Sequence, residues 1–203
     1  MEVLVPAYLP NVAYFSWILQ QKNVPFVVDT HYQKQTFRNR TEIYGANGLL
    51  ILTIPIEHSK IDHHQKEKEV KICYANDWQK QHWKSLSTAY RSSPFFEYYE
   101  ADLYPFYHKK TTYLVEYNLA LLNKIYNLLE QELNFTLQSI KKNEFKIKET
   151  LLFAKNKERQ VQNHYAQVFE SKHGFISNLS VLDVLFNLGP ESLLYLKKAV
   201  FIN

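Results

Sequence analysis

The sequence predicts an α/β fold in which a mixed sheet, begun by a βαβ unit and an Asn-Gly hairpin, packs against several helices, with a helical C-terminal half. Strand-like and helix-like apolar patterns alternate over the first 30 residues, a Gly-rich turn separates two strand-like runs over 35–56, and helix-period segments dominate afterwards. A chain of 203 residues can bury a complete core, so we expect one domain over 1–203.

The opening segment is the predicted βαβ unit. Residues 3–5 and 25–29 form apolar runs typical of buried strands, and Asn11 is a candidate N-cap for a helix over 12–19. Two strands joined in this way are parallel neighbours, and ligands bind at the carboxyl ends of such strands. Tyr8 lies in the loop after the first strand, so we expect it near a ligand.

The predicted hairpin carries two arginines. Residues 35–44 and 49–56 read as strands, and 45–48 as the turn between them. In a strand, Arg38 and Arg40 would share one face about 7 Å apart, which suits recognition of a diphosphate or carboxylate. The alternative is that each arginine pairs with a surface carboxylate.

An aromatic helix follows a strand predicted over 70–74. Trp78, His82, Leu86 and Tyr90 fall one helical turn apart, which places a titratable ring on an apolar face. With an ordinary pKa near 6.5, His82 would suit general-base catalysis. A hydrogen-bonded core histidine explains the same pattern.

The helical half has less distinctive chemistry. Ser93 and Pro94 are predicted to start a second helix, and 103–133 to form one long helix that packs on the core. Residues 139–160 are rich in lysine and glutamate, which predicts an exposed insertion or hinge. The aromatic residues assigned to the second helix are Phe95, Phe96, Tyr98 and Tyr99.

The last predicted helices begin at Ser180 and Pro190. Ser180 is a candidate N-cap, and Gly189 a stop signal before Pro190. Asp183 lies inside an apolar run, so its carboxyl group must be paired or exposed.

Cysteine and histidine usage does not predict a metal site. Cys73 is the only cysteine, which excludes an internal disulfide and favours a small buried side chain in a strand. His58, His63 and His64 lie in the polar run 57–68 without a recognisable ligand spacing, so we expect a solvated loop there.

Composition limits the partners. The net charge of +4 is dispersed and does not predict nucleic-acid binding. The 15 Tyr, 13 Phe and 3 Trp suit a sugar-like or planar ligand but also an ordinary core. The sequence contains no membrane-span pattern, residues 1–10 lack signal-peptide features, and we expect a cytoplasmic protein. Cofactor and oligomeric state stay open.

Several blocks resemble the WbqC-like family, in particular its Bacteroidetes-type branch, over nearly the whole chain. The blocks are 7–10 with 14–15, 32–40, 47–48 with 52–56, 78–99, and 172–175 with 179–183. Many family members have His-Gln-Pro where this chain has Leu4-Val5-Pro6, and Gly where it has Ala13. Chemistry done by that polar pair in relatives would fall here to His82 or His31, or would be lost.

The resemblance implies a role in bacterial surface-polysaccharide biosynthesis. We predict a transferase acting on a nucleotide-linked or lipid-linked amino sugar, with a non-catalytic glycan- or nucleotide-binding protein, or an oligomeric scaffold with an aromatic interface, as alternatives. The predicted catalytic residues are His82 and Tyr90, and the predicted ligand-binding residues are Tyr8, Gln35, Arg38, Asn39, Arg40 and Trp78.

Overall fold

A computed structural model describes residues 1–57, 65–138, 145–153 and 163–198. The α/β class is confirmed, with small sheets and a helical C-terminal half. The strands are β1 (Glu2–Val3), β2 (Val24–Val27), β3 (Arg40–Gly45), β4 (Gly48–Thr53), β5 (Phe135–Gln138) and β6 (Lys146–Ile147). The helices are α1 (Val12–Leu19), α2 (Trp78–Tyr90), α3 (Phe96–Leu103), α4 (Leu114–Leu128), α5 (Glu170–His173), α6 (Val181–Leu188) and α7 (Ser192–Lys198).

The parallel strands lie side by side in the order β6, β1, β2, β5. β1 pairs with β6 and β2 with β5, both in parallel. Leu4 continues β1 and forms a parallel bridge with Phe26, so the first two strands are neighbours as predicted. β2 is buried throughout, and Val3 and Leu4 are fully buried beside it, whereas Glu2 at the start of β1 is exposed.

Side-chain caps position the helices next to this array. Asn11 accepts a hydrogen bond from the Tyr14 amide at 2.9 Å, and Ser180 accepts one from the Leu182 amide at 3.3 Å. Asn11 and Ser180 also form an antiparallel bridge, so the N-termini of α1 and α6 are joined. The predicted caps of both helices are therefore confirmed.

The hairpin is confirmed, but its strands are shorter than predicted. β3 begins at Arg40 because the preceding segment bonds to other parts of the chain: the Phe37 amide donates to Leu152 and its carbonyl accepts from Tyr8. β4 ends at Thr53. Arg38 therefore lies outside the strand, and the shared strand face expected for the two arginines is not formed.

The turn between α2 and α3 differs from the prediction at Ser93. Its hydroxyl donates to the carbonyl of Tyr90 at 2.6 Å, so Ser93 closes the end of α2. The next helix starts only at Phe96, with Phe95 at the N-cap position. Phe95 has no side-chain oxygen that could accept from an α3 amide, so the predicted Ser93 cap of the second helix is wrong.

The single helix predicted over 103–133 was wrong. A 3-10 helix at Tyr104–Tyr107 precedes a segment without regular helix, and α4 begins at Leu114. Tertiary hydrogen bonds cause the interruption, because the Ile72 amide donates to Thr112 and the Leu114 amide to Val70. The strand predicted over 70–74 correspondingly appears only as bridges at Lys71 and Ile72, and Cys73 is half-buried outside any strand.

The stretch 139–160 contains one described segment, 145–153. It supplies β6 and a 3-10 helix at Glu149–Leu151, and it buries Leu151 and Leu152 in the core. The rest of this predicted insertion, and His58, His63 and His64, lie outside the described residues. Within the described ranges, no helix is long and apolar enough to cross a membrane.

Candidate functional site

The tyrosine after β1 and the histidine of α2 meet in the core. The Tyr8 hydroxyl lies 2.9 Å from His82 Nδ1 and 3.2 Å from the Tyr107 hydroxyl. Trp78 packs edge-on against His82 with ring centroids 5.0 Å apart, and Tyr117 lies 5.7 Å from Trp78. We call these five side chains the aromatic cluster. The structure therefore brings three predicted site residues, Tyr8, Trp78 and His82, into direct contact.

The imidazole of His82 is neutral around pH 7. It is 5% exposed, and this burial lowers its pKa from 6.5 to about 4, while a hydrogen bond to the Thr53 backbone acts in the opposite direction. A backbone acceptor for the ring implies a proton on the nitrogen that faces Thr53. Nδ1 then accepts from the Tyr8 hydroxyl, and Tyr107 donates to Tyr8.

Burial also keeps the phenols protonated. Desolvation raises the pKa of Tyr8 well above its ordinary value, and electrostatic interaction with Tyr107 and Tyr117 adds to the effect. The cluster is thus a neutral hydrogen-bonded chain. Both nitrogens of His82 are engaged, so it has the geometry of a hydrogen-bonded core histidine; its general-base role stays a prediction.

A second group of polar side chains lies beside the loop that carries Tyr8. The Tyr8 amide donates to Phe37, and the Asn118 side chain donates to the carbonyls of Pro6 and Arg38 at 3.0 and 2.8 Å. The loop after β1 and the segment before β3 are therefore fixed to each other and to α4.

Arg38 and Glu67 form a buried ion pair in this group. Arg38 Nε lies 2.5 Å from Glu67 Oε1, and each side chain is 1% exposed. Arg38 Nη1 and Nη2 are buried and have no hydrogen-bond partner among the described residues, and the same holds for Arg40 Nε. Buried donors are nearly always paired in native proteins, so these three unpaired nitrogens are candidate donors to a bound anion.

The electrostatics connect Glu67 with its neighbours. Burial raises the pKa of Glu67 to about 7; Arg38 opposes this shift and Glu149 adds to it. Burial likewise raises the pKa of Tyr32, which interacts electrostatically with Glu67, Arg38 and Arg40. We call Tyr32, Arg38, Arg40, Glu67 and Glu149 the Arg38 cluster.

The Arg38 cluster matches neither sequence interpretation of the arginines. Arg38 pairs with a buried carboxylate, so it is neither a surface ion pair nor a strand-face clamp. Asn39 donates to the Ile54 carbonyl at 2.8 Å and Gln35 is exposed at a positive φ of 61°. Their predicted ligand contacts stay predictions.

Tyr90 lies in a separate network. It is two turns from His82 on α2, about 12 Å along the axis, and its hydroxyl accepts from the Tyr44 amide at 3.2 Å. It also interacts with Asp183, whose Oδ2 accepts from Tyr165 at 2.6 Å and from Gln167 at 2.9 Å. The structure does not bring the two predicted catalytic residues together. The expectation that Asp183 is paired is confirmed.

Within the described ranges, no three or more His, Cys, Asp or Glu side chains are grouped so that they could hold a metal ion. His31 is exposed, and its backbone forms a bridge with Lys66. Its role as a substitute base stays a prediction.

The model of the WbqC-like protein family matches residues 6–160, which include both clusters. The chain belongs to the WbqC-like protein family. That family is linked to polysaccharide biosynthesis in general.

This WbqC-like protein is also similar to a curated protein, "Uncharacterized protein Rv1507c" from Mycobacterium tuberculosis, with 33% identity over 123 residues. The match covers 60% of this chain and 52% of the relative, so the chain spans about half the length of the curated relative that it matches. No solved structure matches the chain.

Sequence reasoning missed several residues of both clusters in this WbqC-like protein. The sequence pattern places Glu67 in a predicted solvated loop and Glu149 in a predicted exposed insertion. It places Tyr107 and Tyr117 in a helix predicted to pack on the core. No local pattern marks them, because each becomes polar core only through contacts with distant segments.

Proposed function

We propose that this WbqC-like protein is a transferase-type enzyme that acts on a nucleotide-linked or lipid-linked amino sugar in polysaccharide biosynthesis. The observation that carries the proposal is Arg38, a buried guanidinium whose Nη1 and Nη2 have no partner within the described part of the chain. A planar guanidinium that keeps two nitrogens available matches two oxygens of a phosphate or carboxylate.

Arg40 extends this anion site. Its Nε is buried and unpaired among the described residues, while the residue as a whole is half-exposed. A diphosphate has enough oxygens to accept from both guanidiniums. In this proposal Arg38 and Arg40 hold the phosphates of the donor, and they stabilise the charge that develops when a phosphate leaves.

The aromatic cluster is connected to the anion site by two sets of hydrogen bonds. The Tyr8 amide donates to the Phe37 carbonyl, and the Asn118 side chain donates to the carbonyls of both Pro6 and Arg38. Tyr8 and Trp78 supply aromatic surface of the kind that packs on sugars. A neutral His82 is the form that accepts a proton, so the pair of Tyr8 and His82 would take the proton of the attacking group.

One observation favours the second candidate, a non-catalytic glycan- or nucleotide-binding protein. His82 is 5% exposed and both of its ring nitrogens are engaged. A ligand that binds only through Arg38 and Arg40 would leave this arrangement undisturbed. The scaffold alternative has less support, because Phe96 of its proposed aromatic interface is fully buried.

Binding and turnover separate these candidates. A thermal-shift screen against nucleotide sugars, free nucleotides, acyl-carrier thioesters and amino acids should show the largest shift with nucleotide sugars, since ligand binding raises stability. Arg38→Lys should weaken that binding by about tenfold or more, because a lysine cannot form the bidentate contact. The matched control is Arg91→Lys, at an arginine that is 70% exposed.

His82→Gln is the decisive variant for catalysis. If it keeps affinity for the nucleotide sugar and loses turnover, the enzyme is supported. If turnover persists, His82 is structural, and if no turnover is found with any bound sugar, the binding protein is supported. Equal binding by Arg38→Lys and the wild-type protein would contradict the anion site.

A further inference from the structure

Hydrogen-bond acceptors in and beside the Arg38 cluster are unpaired, as well as the donors on the two arginines. Glu149 Oε2 and Asn118 Oδ1 are buried and have no hydrogen-bond partner in the described ranges. The N–H groups of Arg38 and Arg40 can donate to an anion, whereas a carboxylate oxygen and an amide oxygen can only accept from a donor. One ligand that satisfies both sets carries an anionic group and an ammonium group.

The segment that carries Glu149 is bonded to the segment that carries Arg38. Glu149 is the first residue of the 3-10 helix Glu149–Leu151. Leu152, which directly follows this helix, is fully buried. The Leu152 carbonyl accepts from the Phe37 amide at 2.8 Å, and Phe37 directly precedes Arg38. The two side chains therefore belong to segments joined by a backbone hydrogen bond.

The charge balance of the cluster supports a ligand of mixed charge. The cluster contains two guanidiniums, from Arg38 and Arg40, and two carboxyl groups, from Glu67 and Glu149. Arg38 pairs with Glu67, and the negative charge of Glu149 acts on Glu67. A purely anionic ligand would add negative charge beside both carboxyl groups. A ligand ammonium beside Glu149 removes that penalty, since opposite charges attract strongly at low dielectric.

We infer that Glu149 binds the amino group of the ligand whose phosphate group binds Arg38, so that the protein selects a free amino sugar over its neutral analogues. This inference rests on the proposed function for the identity of the anion. It adds a specificity-determining residue that no sequence pattern indicated, and the unpaired Asn118 Oδ1 on α4 is a second acceptor for the same amino group.

Titration calorimetry with three sugar phosphates tests the inference on the full chain near neutral pH. Glucosamine 1-phosphate carries the ammonium, glucose 1-phosphate has a hydroxyl in its place, and N-acetylglucosamine 1-phosphate has a neutral amide. We expect the wild-type protein to bind the first about tenfold more tightly than the other two, as charge-assisted hydrogen bonds predict.

Two variants assign the effect. Glu149→Gln should abolish the preference for glucosamine 1-phosphate. It should also bind glucose 1-phosphate at least as tightly as the wild-type protein does, because one of the two carboxyl groups that disfavour a purely anionic ligand is gone. Arg38→Lys should weaken all three ligands. Glu132→Gln, at an exposed glutamate, is the matched control and should change nothing. Thermal unfolding of each unliganded variant checks that it is folded. If Glu149→Gln does not fold, the comparison of the three ligands on the wild-type protein still tests the preference for the amino group.

The outcomes are distinguishable from those of the proposed function. Equal wild-type affinity for the three ligands, with weakening by Arg38→Lys, would overturn the inference and keep the anion site. A preference that survives in folded Glu149→Gln would also overturn it. If none of the three ligands binds, or if Arg38→Lys binds all of them as tightly as the wild-type protein does, both this inference and the proposed function are overturned.

Discussion

The Tyr8 hydroxyl and His82 Nδ1 lie 2.9 Å apart although the two residues are separated by 74 positions in the chain. The contact joins the loop after β1 to the middle of α2, and the 3.2 Å contact with Tyr107 extends it to the 3-10 helix Tyr104–Tyr107. Three segments distant in sequence are thus joined by polar groups inside an aromatic core.

Tyr8→Phe tests the energetic value of this contact. Removing the hydroxyl leaves Nδ1 of a buried histidine without its donor, so we expect a loss of about 1–3 kcal/mol in the free energy of unfolding. Urea denaturation measures it. Tyr98→Phe, at a tyrosine that is 76% exposed, should change stability little, and an equal loss in both variants would contradict the expected role of the contact.

The pKa of His82 predicts a pH dependence of stability. Because burial lowers this pKa from 6.5 to about 4, the unfolded chain binds the proton more tightly than the folded protein does. The contribution of His82 to the free energy of unfolding is constant above pH 6.5. It is lost as the pH falls from 6.5 to about 4, and the total loss is up to about 3 kcal/mol.

His82→Gln isolates that contribution. Its stability should fall less on acidification than that of the wild-type protein, so the difference between the two should change between pH 6.5 and about 4 and stay constant above that window. Urea denaturation across this range measures the difference, in which the titration of all other groups largely cancels. A difference that is independent of pH would show that His82 titrates normally in the folded state.

The Arg38–Glu67 pair predicts an asymmetry between single and double substitutions. Above pH 7, where Glu67 is ionised in the folded protein, Glu67→Ala leaves a buried guanidinium without its counter-charge, which should cost about 3–5 kcal/mol. Replacing both residues by apolar ones, as in R38M/E67L, should cost less than that single change, because no charge then stays buried.

The exposed pair Lys124–Asp102 provides the control. Asp102→Ala should cost about 0–1 kcal/mol, since solvent screens a pair of this exposure. Denaturant unfolding of all variants decides the comparison. A Glu67→Ala cost as small as that of Asp102→Ala would mean that water reaches Arg38 freely.

We expect a side chain at Gly189 to clash with its surroundings, and Gly174 provides the control for the cost of backbone strain alone. At Gly189, with a φ of 52°, a Cβ atom would lie 2.5 Å from the ring of Phe95. At Gly174, with a φ of 72°, a Cβ atom would meet no described atom within 4 Å. Gly174→Ala should therefore cost only the backbone strain, about 1–3 kcal/mol, and Gly189→Ala about 1–3 kcal/mol more.

Phe95→Ala provides the double-mutant test of that clash. In the Phe95→Ala background, Gly189→Ala should cost about as much as Gly174→Ala does in the wild-type protein, because the ring is gone. Thermal or urea unfolding measures each cost. An unchanged penalty would assign the whole effect of Gly189→Ala to backbone conformation.

Local signals in the sequence were sufficient for several elements. The cap residues Asn11 and Ser180 hydrogen-bond to amides within their own helices, and the β3–β4 hairpin depends on a two-residue turn between Gly45 and Gly48. The placement of Tyr8 in the loop after β1 follows from the strand that precedes it. Such features depend on interactions over a few residues, which a sequence pattern contains.

Long-range interactions decided the elements that were predicted wrongly. The helix predicted over 103–133 is interrupted because Thr112 and Leu114 bond to Ile72 and Val70. The strand predicted from residue 35 begins only at Arg40 because Phe37 bonds to Tyr8 and Leu152. Backbone groups satisfied by a distant segment override a local periodic pattern.

The sequence by itself determined the α/β class, the family, and three residues that meet in one cluster, Tyr8, Trp78 and His82. Only the tertiary structure decided that His82 is neutral and engaged at both nitrogens, since desolvation and the partners Tyr8 and Thr53 come from the fold. The tertiary structure also decided that Arg38 lies outside the strand and pairs with the buried Glu67, so that Arg38 and Arg40 do not share a strand face. The physical reason is that burial and charge pairing depend on the whole packed core, whereas caps and turns depend on neighbours in the chain.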